Sequence, residues 1–258
     1  SPERSAELFQ GTEQLMRVGR TRPLSFFAYP RKPSYGLQAA TKVFYLAHAH
    51  EDGTGALEAL AEAIAAPKEA ANIAPLKKPE QIADKFDQYT IGQVVARHLP
   101  EGAIVSDEAA TSGAGSALAT ITAAPHDHLG LTGGSIGQGL PVATGAAVAG
   151  KGRKVVCLHG DGGAMYTLQA LWTQARERLD VTTVIFANRS YAILNIELAR
   201  VGASNPGPKA LSMLDLHNPE LDWVKLASGM GVEASRATNI RDFESQFESA
   251  IRHVGPRL

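Results

Sequence analysis

Short apolar runs alternate with helix-like segments through the second half of the chain, and this alternation limits the fold more than any other feature. From about Tyr89 onward the apolar runs are brief and rich in β-branched residues, the clearest being AIVSD, KVVCLH and TTVIFAN. Strands that are apolar throughout are buried on both faces, and connections of helix length join strands in parallel. The pattern therefore predicts an α/β fold, a doubly wound parallel sheet with helices on both faces. The predicted helices read TIGQVVARHL, SALATITAA, LPVATGAAVAG, AMYTLQALWTQAR, LDWVKLASGMG and IRDFESQFESAIRHV, and a further strand reads VEASRA.

The chain divides by composition into three parts. Residues 1–66 hold a helix-like start, ELFQGTEQLMRVG, two extended runs, PLSFFAY and KVFYLAH, and a helix, GALEALAEAIAA. This part is too short for a convincing core, so we interpret it as the C-terminal part of a central α/β domain. Residues 67–88 are polar and contain three prolines, which predicts a linker. Residues 89–258 form the parallel-sheet domain.

Composition excludes several classes of protein. The chain has 258 residues, of which 44% are hydrophobic and 20% charged, and its net charge is −1. This balance gives no electrostatic case for binding nucleic acid or an anionic membrane. No apolar run reaches transmembrane length, and no signal peptide is recognisable. The first residue is Ser and the closing segment HVGPRL reads as the start of a strand, so we expect a fragment of a longer polypeptide.

The single cysteine, Cys157, excludes an internal disulfide framework and a multi-cysteine zinc site. It lies within the strand KVVCLH, where inert packing is expected. A reducing, cytoplasmic setting fits this usage.

Two polar residues follow the ends of neighbouring predicted strands. Asp161 stands in GDGG directly after KVVCLH, and Asn188 ends TTVIFAN, with one amphipathic helix between them. The carboxyl ends of parallel strands meet at one edge of a sheet, where ligands bind. One carboxylate and one neutral oxygen suit a hard cation such as Mg²⁺, which usually takes further ligands from phosphate.

The glycines that flank Asp161 fit the same hypothesis. Gly162 and Gly163 lack Cβ atoms, so their backbone N–H groups can approach a phosphate at the start of a helix. The competing interpretation is a tight turn in which Asp161 is a helix N-cap. The second oxygen ligand at a second strand end favours the cation and phosphate site.

GDG followed, after one helix and one strand, by Asn resembles the signature of the thiamine-diphosphate-dependent 2-keto acid decarboxylase and acetolactate synthase superfamily. FFAYPRKPS and HEDGTGALEALAEAI resemble the end of its central domain. VSDEAATSG, LTGGSIGQGLPVATGAA and GDGGAMYTLQALWTQARERLDVTTVIFANRSYAIL resemble its diphosphate-binding domain in order and spacing. Agreement is closest to the benzoylformate decarboxylase-like branch. The resemblance covers nearly the whole chain and implies a thiamine-diphosphate-binding fold.

The resemblance implies a role for each matching residue. Asp161 and Asn188 would bind Mg²⁺ through side-chain oxygens, and Ser190 would bind it through its backbone carbonyl. The residues that would contact the diphosphate are Thr111, Ser112, Gly160, Gly162, Gly163 and Tyr191.

Two residues of GGSIGQG would act in catalysis. The Gly134 carbonyl would accept a hydrogen bond from the cofactor's 4′-amino group, and Ile136 would be the apolar wedge that keeps the cofactor bent. Arg189 departs from the family, which often has Asn or Gly after the Asn ligand.

Other candidate motifs give weaker indications of function. GGSIGQG lacks the order of a dinucleotide fingerprint, and no Walker sequence occurs. His126 and His128 share a strand face but lack a third ligand, so the start of a surface strand is expected. Glu108 follows a strand and would contact substrate or cap the next helix. Leu194 and Glu197 would line a substrate pocket.

The sequence thus predicts an enzyme that uses thiamine diphosphate and Mg²⁺ on 2-keto acids, by decarboxylation, carboligation or both. The alternative is a non-catalytic relative that keeps the Mg²⁺–diphosphate site as a binding or regulatory subunit. The expected partners are the 2-keto acid, the N-terminal pyrimidine-binding domain of the intact protein and further copies in a homodimer or homotetramer. Because the resemblance puts the activating glutamate on that other domain, we expect residues 1–258 alone to be inactive.

Overall fold

The structure is a computed structural model that describes residues 2–21, 23–25, 29, 32, 34–73, 75–76, 78–203 and 205–258. The chain divides into two compact units. The first comprises Ser1–Ile73 with Ala199–Ala203, and the second comprises Ala74–Leu198 with Ser204–Leu258. The two are described separately.

The first unit contains a parallel pair of strands. Its elements are α1 (Pro2–Leu8), β1 (Gln14–Val18), β2 (Lys42–Ala47) and α2 (Gly53–Ala63). Gln14 pairs with Lys42, and the register shifts between Arg17 and Val18. Among the described residues of this unit, Ala47 is the one apolar side chain that is buried.

The predicted helix ELFQGTEQLMRVG is wrong, because α1 ends before Phe9 and Gln14–Val18 form a strand. Gly11 has a φ of +76°, a left-handed conformation that interrupts a helix. Pairing with β2 then holds the following residues extended. The extended run PLSFFAY lies partly outside the described residues, and within it Leu24 pairs with Tyr35 in an antiparallel bridge.

The second unit is built on a four-stranded parallel sheet in the order β4-β3-β5-β6. Its strands are β3 (Ile104–Glu108), β4 (Asp127–Gly130), β5 (Val155–Gly160) and β6 (Val181–Phe186). Its helices are α3 (Gln88–His98), α4 (Ala114–Ala119), α5 (Gly139–Ala149), α6 (Asp161–Ala164), α7 (Ala170–Arg176), α8 (Ala192–Arg200), α9 (Pro208–Ser212), α10 (Trp223–Gly229) and α11 (Ile240–Arg252), with 3₁₀ turns at Ala110–Ser112 and Thr120–Thr122.

Alternate residues of each central strand enter two separate cores. Val156 and Leu158 pack with residues of α3 and α11 on one face of the sheet. Val155 and Cys157 pack with residues of α5, α7 and α10 on the other. Because successive side chains of a strand point to opposite faces, this alternation places helices on both sides. The predicted doubly wound α/β fold is confirmed.

Two predicted elements differ from the structure. The segment AMYTLQALWTQAR is not one helix, because bonds of the i→i+3 type, such as Tyr166 N to Gly163 O (3.1 Å) and Ala170 N to Thr167 O (3.0 Å), separate α6 from α7. VEASRA is not a strand; Glu233 forms a single parallel bridge with Arg257, which in turn bridges Thr182 of β6.

The described residues between α2 and α3 form no helix or strand. The division into 1–66, 67–88 and 89–258 stays a prediction. Within the described parts of the chain, no helix combines the length and hydropathy needed to cross a membrane.

Candidate functional site

The carboxyl ends of β5 and β6 bring Asp161 close to the loop that carries Asn188. Gly160 pairs with Phe186 where the two strands end, and Asp161 follows immediately. The backbone N–H of Arg189 donates to Asp161 Oδ2 at 2.6 Å. The loop after β6 is therefore bonded directly to the carboxylate that follows β5.

Asp161 is a buried carboxylate with few compensating partners. Asp161 is only 2% exposed. Its Oδ1 accepts a hydrogen bond from the N–H of Gly162 at 2.8 Å. Burial raises the pKa of Asp161, although the N–H groups of Arg189 and Gly162 act in the opposite direction. A buried carboxylate is stabilised by a nearby cation, so this residue fits a metal ligand. It is not the helix N-cap, because Gly160 occupies that position without a side-chain bond.

Hard oxygen atoms of two further loops lie beside it. Asn188 Nδ2 donates to Ser112 Oγ at 3.4 Å, and Asn188 Oδ1 accepts from Ser190 N at 3.0 Å. Ser112 ends the 3₁₀ turn after β3, and half-buried Thr111 precedes it. The ends of three neighbouring strands thus converge, and oxygen donors of this kind suit Mg²⁺.

Arg189 has a backbone φ of 57°. A left-handed conformation is unfavourable for a residue with a long side chain and favours Gly or Asn. This conformation accounts for the Asn or Gly that the related family often has here. The guanidinium of Arg189 points to Glu220, with Nη1 3.4 Å from Oε1.

Local packing leaves no room for a side chain at two of the three glycines of GDGG, Gly162 and Gly163. A Cβ on Gly162 would lie 2.5 Å from Tyr191 Cε1, and a Cβ on Gly163 would lie 2.8 Å from Glu108 Oε1. Gly160 has more space, with its nearest atoms at 3.8 Å. Tyr191 is half-buried, and burial raises the pKa of its phenol. Close approach of a phosphate to these N–H groups stays a prediction.

Gly134 and Ile136 lie in the loop between β4 and α5. Gly134 has a φ of +66°, and its carbonyl accepts the N–H of Ile136 at 2.9 Å. The Ile136 side chain is 44% exposed, and its contact with a cofactor stays a prediction. The carbonyl keeps a second lone pair for another donor.

A cavity of about 390 Å³ extends from this site along the outer edge of β6. Asp161, Asn188 and Ser112 line one end of it. The predicted site residues outside its described lining are Thr111, Gly134, Ile136, Gly160, Gly162, Gly163, Ser190 and Tyr191.

The remaining candidates have structural partners. His126 Nδ1 lies 2.8 Å from the Ala124 carbonyl, and His128 Nε2 lies 3.5 Å from Asp107 Oδ2. In the described part of the chain, no cluster of three or more His, Cys, Asp and Glu could hold a metal. The donor set of one carboxylate, one amide and one carbonyl is of a different kind. Leu194 is 42% exposed on α8, and Glu197 is half-buried there.

Sequence reasoning missed the partners of Glu108. The carboxylate does not cap the next helix; Gly137 N donates to Oε1 at 2.5 Å and Gly139 N donates to Oε2 at 2.6 Å. Nothing in the local spacing indicates this contact, because the partners lie about 30 positions away. The sequence did contain one indication of a role for Glu108, namely a carboxylate at the end of a buried strand.

Residues 111–258 match the family model described as thiamine pyrophosphate enzyme, C-terminal TPP binding domain. The chain therefore belongs to the thiamine pyrophosphate enzyme family, which confirms the resemblance. It is 47% identical over 259 residues to a Mycobacterium tuberculosis protein provisionally named acetolactate synthase large subunit IlvX, covering 99% of this chain and 50% of that protein.

Two further similarities bear on the branch and the fold. Benzoylformate decarboxylase of Pseudomonas aeruginosa is 34% identical over 126 residues, which are 48% of this chain and 22% of that enzyme. The structure of the thiamine diphosphate-dependent 4-hydroxybenzoylformate decarboxylase of Rhodococcus jostii RHA1 matches with a TM-score of 0.75 at 23% identity, over 98% of this chain and 49% of that one. At that identity the match shows the fold alone. The chain spans about half the length of the IlvX relative.

Proposed function

We propose that this chain binds Mg²⁺ and the diphosphate of thiamine diphosphate in an enzyme that acts on 2-keto acids. The observation that carries the proposal is the buried Asp161 carboxylate, bonded to the N–H of Arg189 beside Asn188. Burial makes an isolated charge costly there, and a divalent cation would offset that cost. Asp161, Asn188 and the Ser190 carbonyl would hold the metal.

The N–H and hydroxyl groups around that metal would hold the diphosphate. They belong to residues at three strand ends: Thr111, Ser112, Gly160, Gly162, Gly163 and Tyr191. Fixed donors hold an anion without reorganising, and the metal neutralises its charge. This cradle would fix the position of the cofactor relative to the loop of Gly134 and Ile136.

The loop residues would act on the reactive part of the cofactor. When bound, thiamine diphosphate supplies an electron sink for cleaving or forming the bond next to a keto carbon. The Gly134 carbonyl would accept a hydrogen bond from the cofactor's amino group, and the Ile136 side chain would hold its bent shape.

The same chain supports decarboxylation and carboligation. The 47% identical relative carries an acetolactate synthase name, which favours carboligation, whereas the benzoylformate decarboxylase similarity favours simple decarboxylation. We propose a pyrimidine-binding domain and further copies of the chain as partners, and a cytoplasmic location. Incubating the full-length protein with a panel of 2-keto acids, and measuring carbon dioxide and coupled products, decides between the reactions.

Calorimetry with Mg²⁺ and thiamine diphosphate tests the site without depending on turnover. Asp161→Ala removes the one charged protein ligand, so we expect cofactor affinity to fall at least about tenfold, or about 1.4 kcal/mol. Asp84→Ala is the matched control, because Asp84 is exposed and pairs with Arg241. Equal affinities of Asp161→Ala and wild type would refute the assignment of Asp161.

A further inference from the structure

Glu108 is a buried carboxylate that the proposed cofactor site does not use. It ends β3 and is 4% exposed. Its two oxygens accept the N–H groups of Gly137 (2.5 Å) and Gly139 (2.6 Å). These two glycines join the loop of Gly134 and Ile136 to the first turn of α5, so Glu108 fastens the downstream end of that loop.

His159 lies against the same carboxylate. It is fully buried in β5, and its Nε2 is 3.3 Å from Glu108 Oε2, outside hydrogen-bonding geometry. Its Nδ1 is 3.0 Å from the Gly160 carbonyl. Burial raises the pKa of Glu108, but His159 and the two backbone N–H groups outweigh burial and hold this pKa below its ordinary value. Both carboxyl oxygens of Glu108 accept hydrogen bonds from the two glycine donors.

The pair also contacts the segment that follows β5. A Cβ on Gly163 would lie 2.8 Å from Glu108 Oε1 and 2.9 Å from His159 Cε1. A Cβ on Gly139 would lie 2.7 Å from His159 Cδ2. Glu108 and His159 thus fill the space between α6 and the start of α5, and they fix the separation of these two elements.

The loop itself has few other anchors. Residues 131–136, which follow β4, are exposed throughout, and burial begins at Gly137. Thr167 Oγ1 donates to the Gly137 carbonyl at 2.5 Å, and Ser106 Oγ donates to the Gly139 carbonyl at 2.9 Å. These bonds converge on the two glycines and hold the downstream end of the loop, whereas the pairing of β4 with β3 and the bond from Gln138 Nε2 to the Gly130 carbonyl (3.3 Å) hold its upstream end.

We propose that Glu108, supported by His159, is a positioning residue that sets the loop of Gly134 and Ile136 relative to the GDGG segment. This inference rests on the proposed function, because it assigns opposite ends of one cofactor to those two segments. Glu108 would act on that loop through the backbone of Gly137 and Gly139.

Comparing the affinities for two ligands distinguishes a positioning role of Glu108 from a general role in folding. Glu108→Gln keeps the shape but turns an amide N–H₂ towards one of the two backbone donors, so one bond is lost. In the full-length protein with Mg²⁺, calorimetry should show affinity for thiamine diphosphate reduced about tenfold or more. Affinity for inorganic diphosphate should stay within about twofold, because that ligand would contact the residues at the strand ends and not the loop of Gly134 and Ile136.

Two variants calibrate this measurement. Ile136→Ala should also reduce affinity for thiamine diphosphate more than affinity for inorganic diphosphate, because it alters the loop directly. Glu177→Gln is the matched control, because Glu177 is exposed and pairs with Arg176; both affinities should equal those of wild type. If Glu108→Gln does not fold, Thr167→Val is the alternative variant, because it removes another hydrogen bond to Gly137. It should reduce affinity for thiamine diphosphate more than affinity for inorganic diphosphate, with a smaller difference than that expected for Glu108→Gln.

The outcomes distinguish this inference from the proposed function. Equal losses for both ligands, or no loss for either, would overturn the positioning role while leaving the cofactor site intact. A wild-type protein that binds neither ligand would overturn the proposed function, and this inference with it.

Discussion

The two units use the same parallel pairing of strands, yet they bury very different amounts of it. In β5 the first five residues are all buried. In β2 only Ala47 is buried, and the aromatic side chains of Phe44 and Tyr45 are 46% and 54% exposed. A sheet covered on both faces gains burial from every position, whereas a pair of strands accompanied by two helices of 7 and 11 residues does not.

Among the described residues, both units contain buried polar atoms without a hydrogen-bond partner. In the first unit the Arg17 guanidinium lies 3.7 Å from the centroid of Tyr45, and its Nε and Nη1 atoms are buried without a hydrogen-bond partner among the described residues. In the second unit the buried Glu108 carboxylate has two backbone donors. The units therefore differ in the burial of their strands rather than in how many buried polar groups lack a partner, and the candidate site lies on the unit with the more deeply buried strands.

The largest expected effect tests this difference with the same substitution in both units. Leu158→Ala in β5 empties a position that is 1% exposed, which should cost about 2–5 kcal/mol. Leu46→Ala in β2 alters a half-buried position and should cost about 1 kcal/mol or less. Urea denaturation of both variants, with hydrogen exchange to localise the change, provides the measurement. Equal costs would show that the first unit is packed as tightly as the second.

The central strands could be predicted from the sequence because their residues decide their structure locally. AIVSD, KVVCLH and TTVIFAN are rich in apolar and β-branched residues, and all three contribute strands of the sheet. Gln14–Val18 could not be predicted in this way. The residues of QLMRV suit a helix, and the partner that makes them a strand lies at Lys42–Ala47.

In the candidate site, too, contacts set by regular topology could be predicted from the sequence and contacts set by irregular loops could not. Asp161 and Asn188 could be brought together from the sequence, because parallel topology places successive strand ends at one edge. The contact between Glu108 and Gly137 could not, since it depends on the path of an irregular loop. The break between α6 and α7 was missed for a related reason. Thr167 bonds to the Gly137 carbonyl, a tertiary contact that no helical periodicity contains.

A smaller effect is expected where a carboxylate ties two helices of the second unit together. Glu244 on α11 accepts from Arg97 Nη1 at 2.7 Å and contacts His98 Nε2 at 3.0 Å, both on α3. Glu244→Gln should cost about 1 kcal/mol at neutral pH. Glu51 in the first unit is the control, because it accepts only the nearby His48 N, and Glu51→Gln should not change stability measurably.

The pH dependence of Glu244 gives a second test of that contact. Burial raises its pKa, but the bonds from His98 and Arg97 outweigh burial and lower the pKa below 4.5. A lowered folded-state pKa means that the stabilisation is present above the ordinary value and is lost as pH falls through the lower one. Wild type and Glu244→Gln should therefore converge in stability on acidification. A difference that stays constant with pH would contradict the ionic contact.

The smallest expected effect is a gain of stability in the second unit. Gly145 lies inside α5, and a Cβ added there would meet no atom within 4 Å. Alanine removes backbone freedom from the unfolded chain and favours the helix, so Gly145→Ala should add about 0.5–1 kcal/mol. Gly139→Ala in the same helix is the contrast, because its Cβ would lie 2.7 Å from His159 Cδ2, and it should destabilise. Thermal denaturation with hydrogen exchange should locate the Gly145→Ala gain in α5 and the sheet, with exchange in β1 and β2 unchanged. If Gly145→Ala instead lowers stability, the added methyl group must clash. Gly145 would then not face open space.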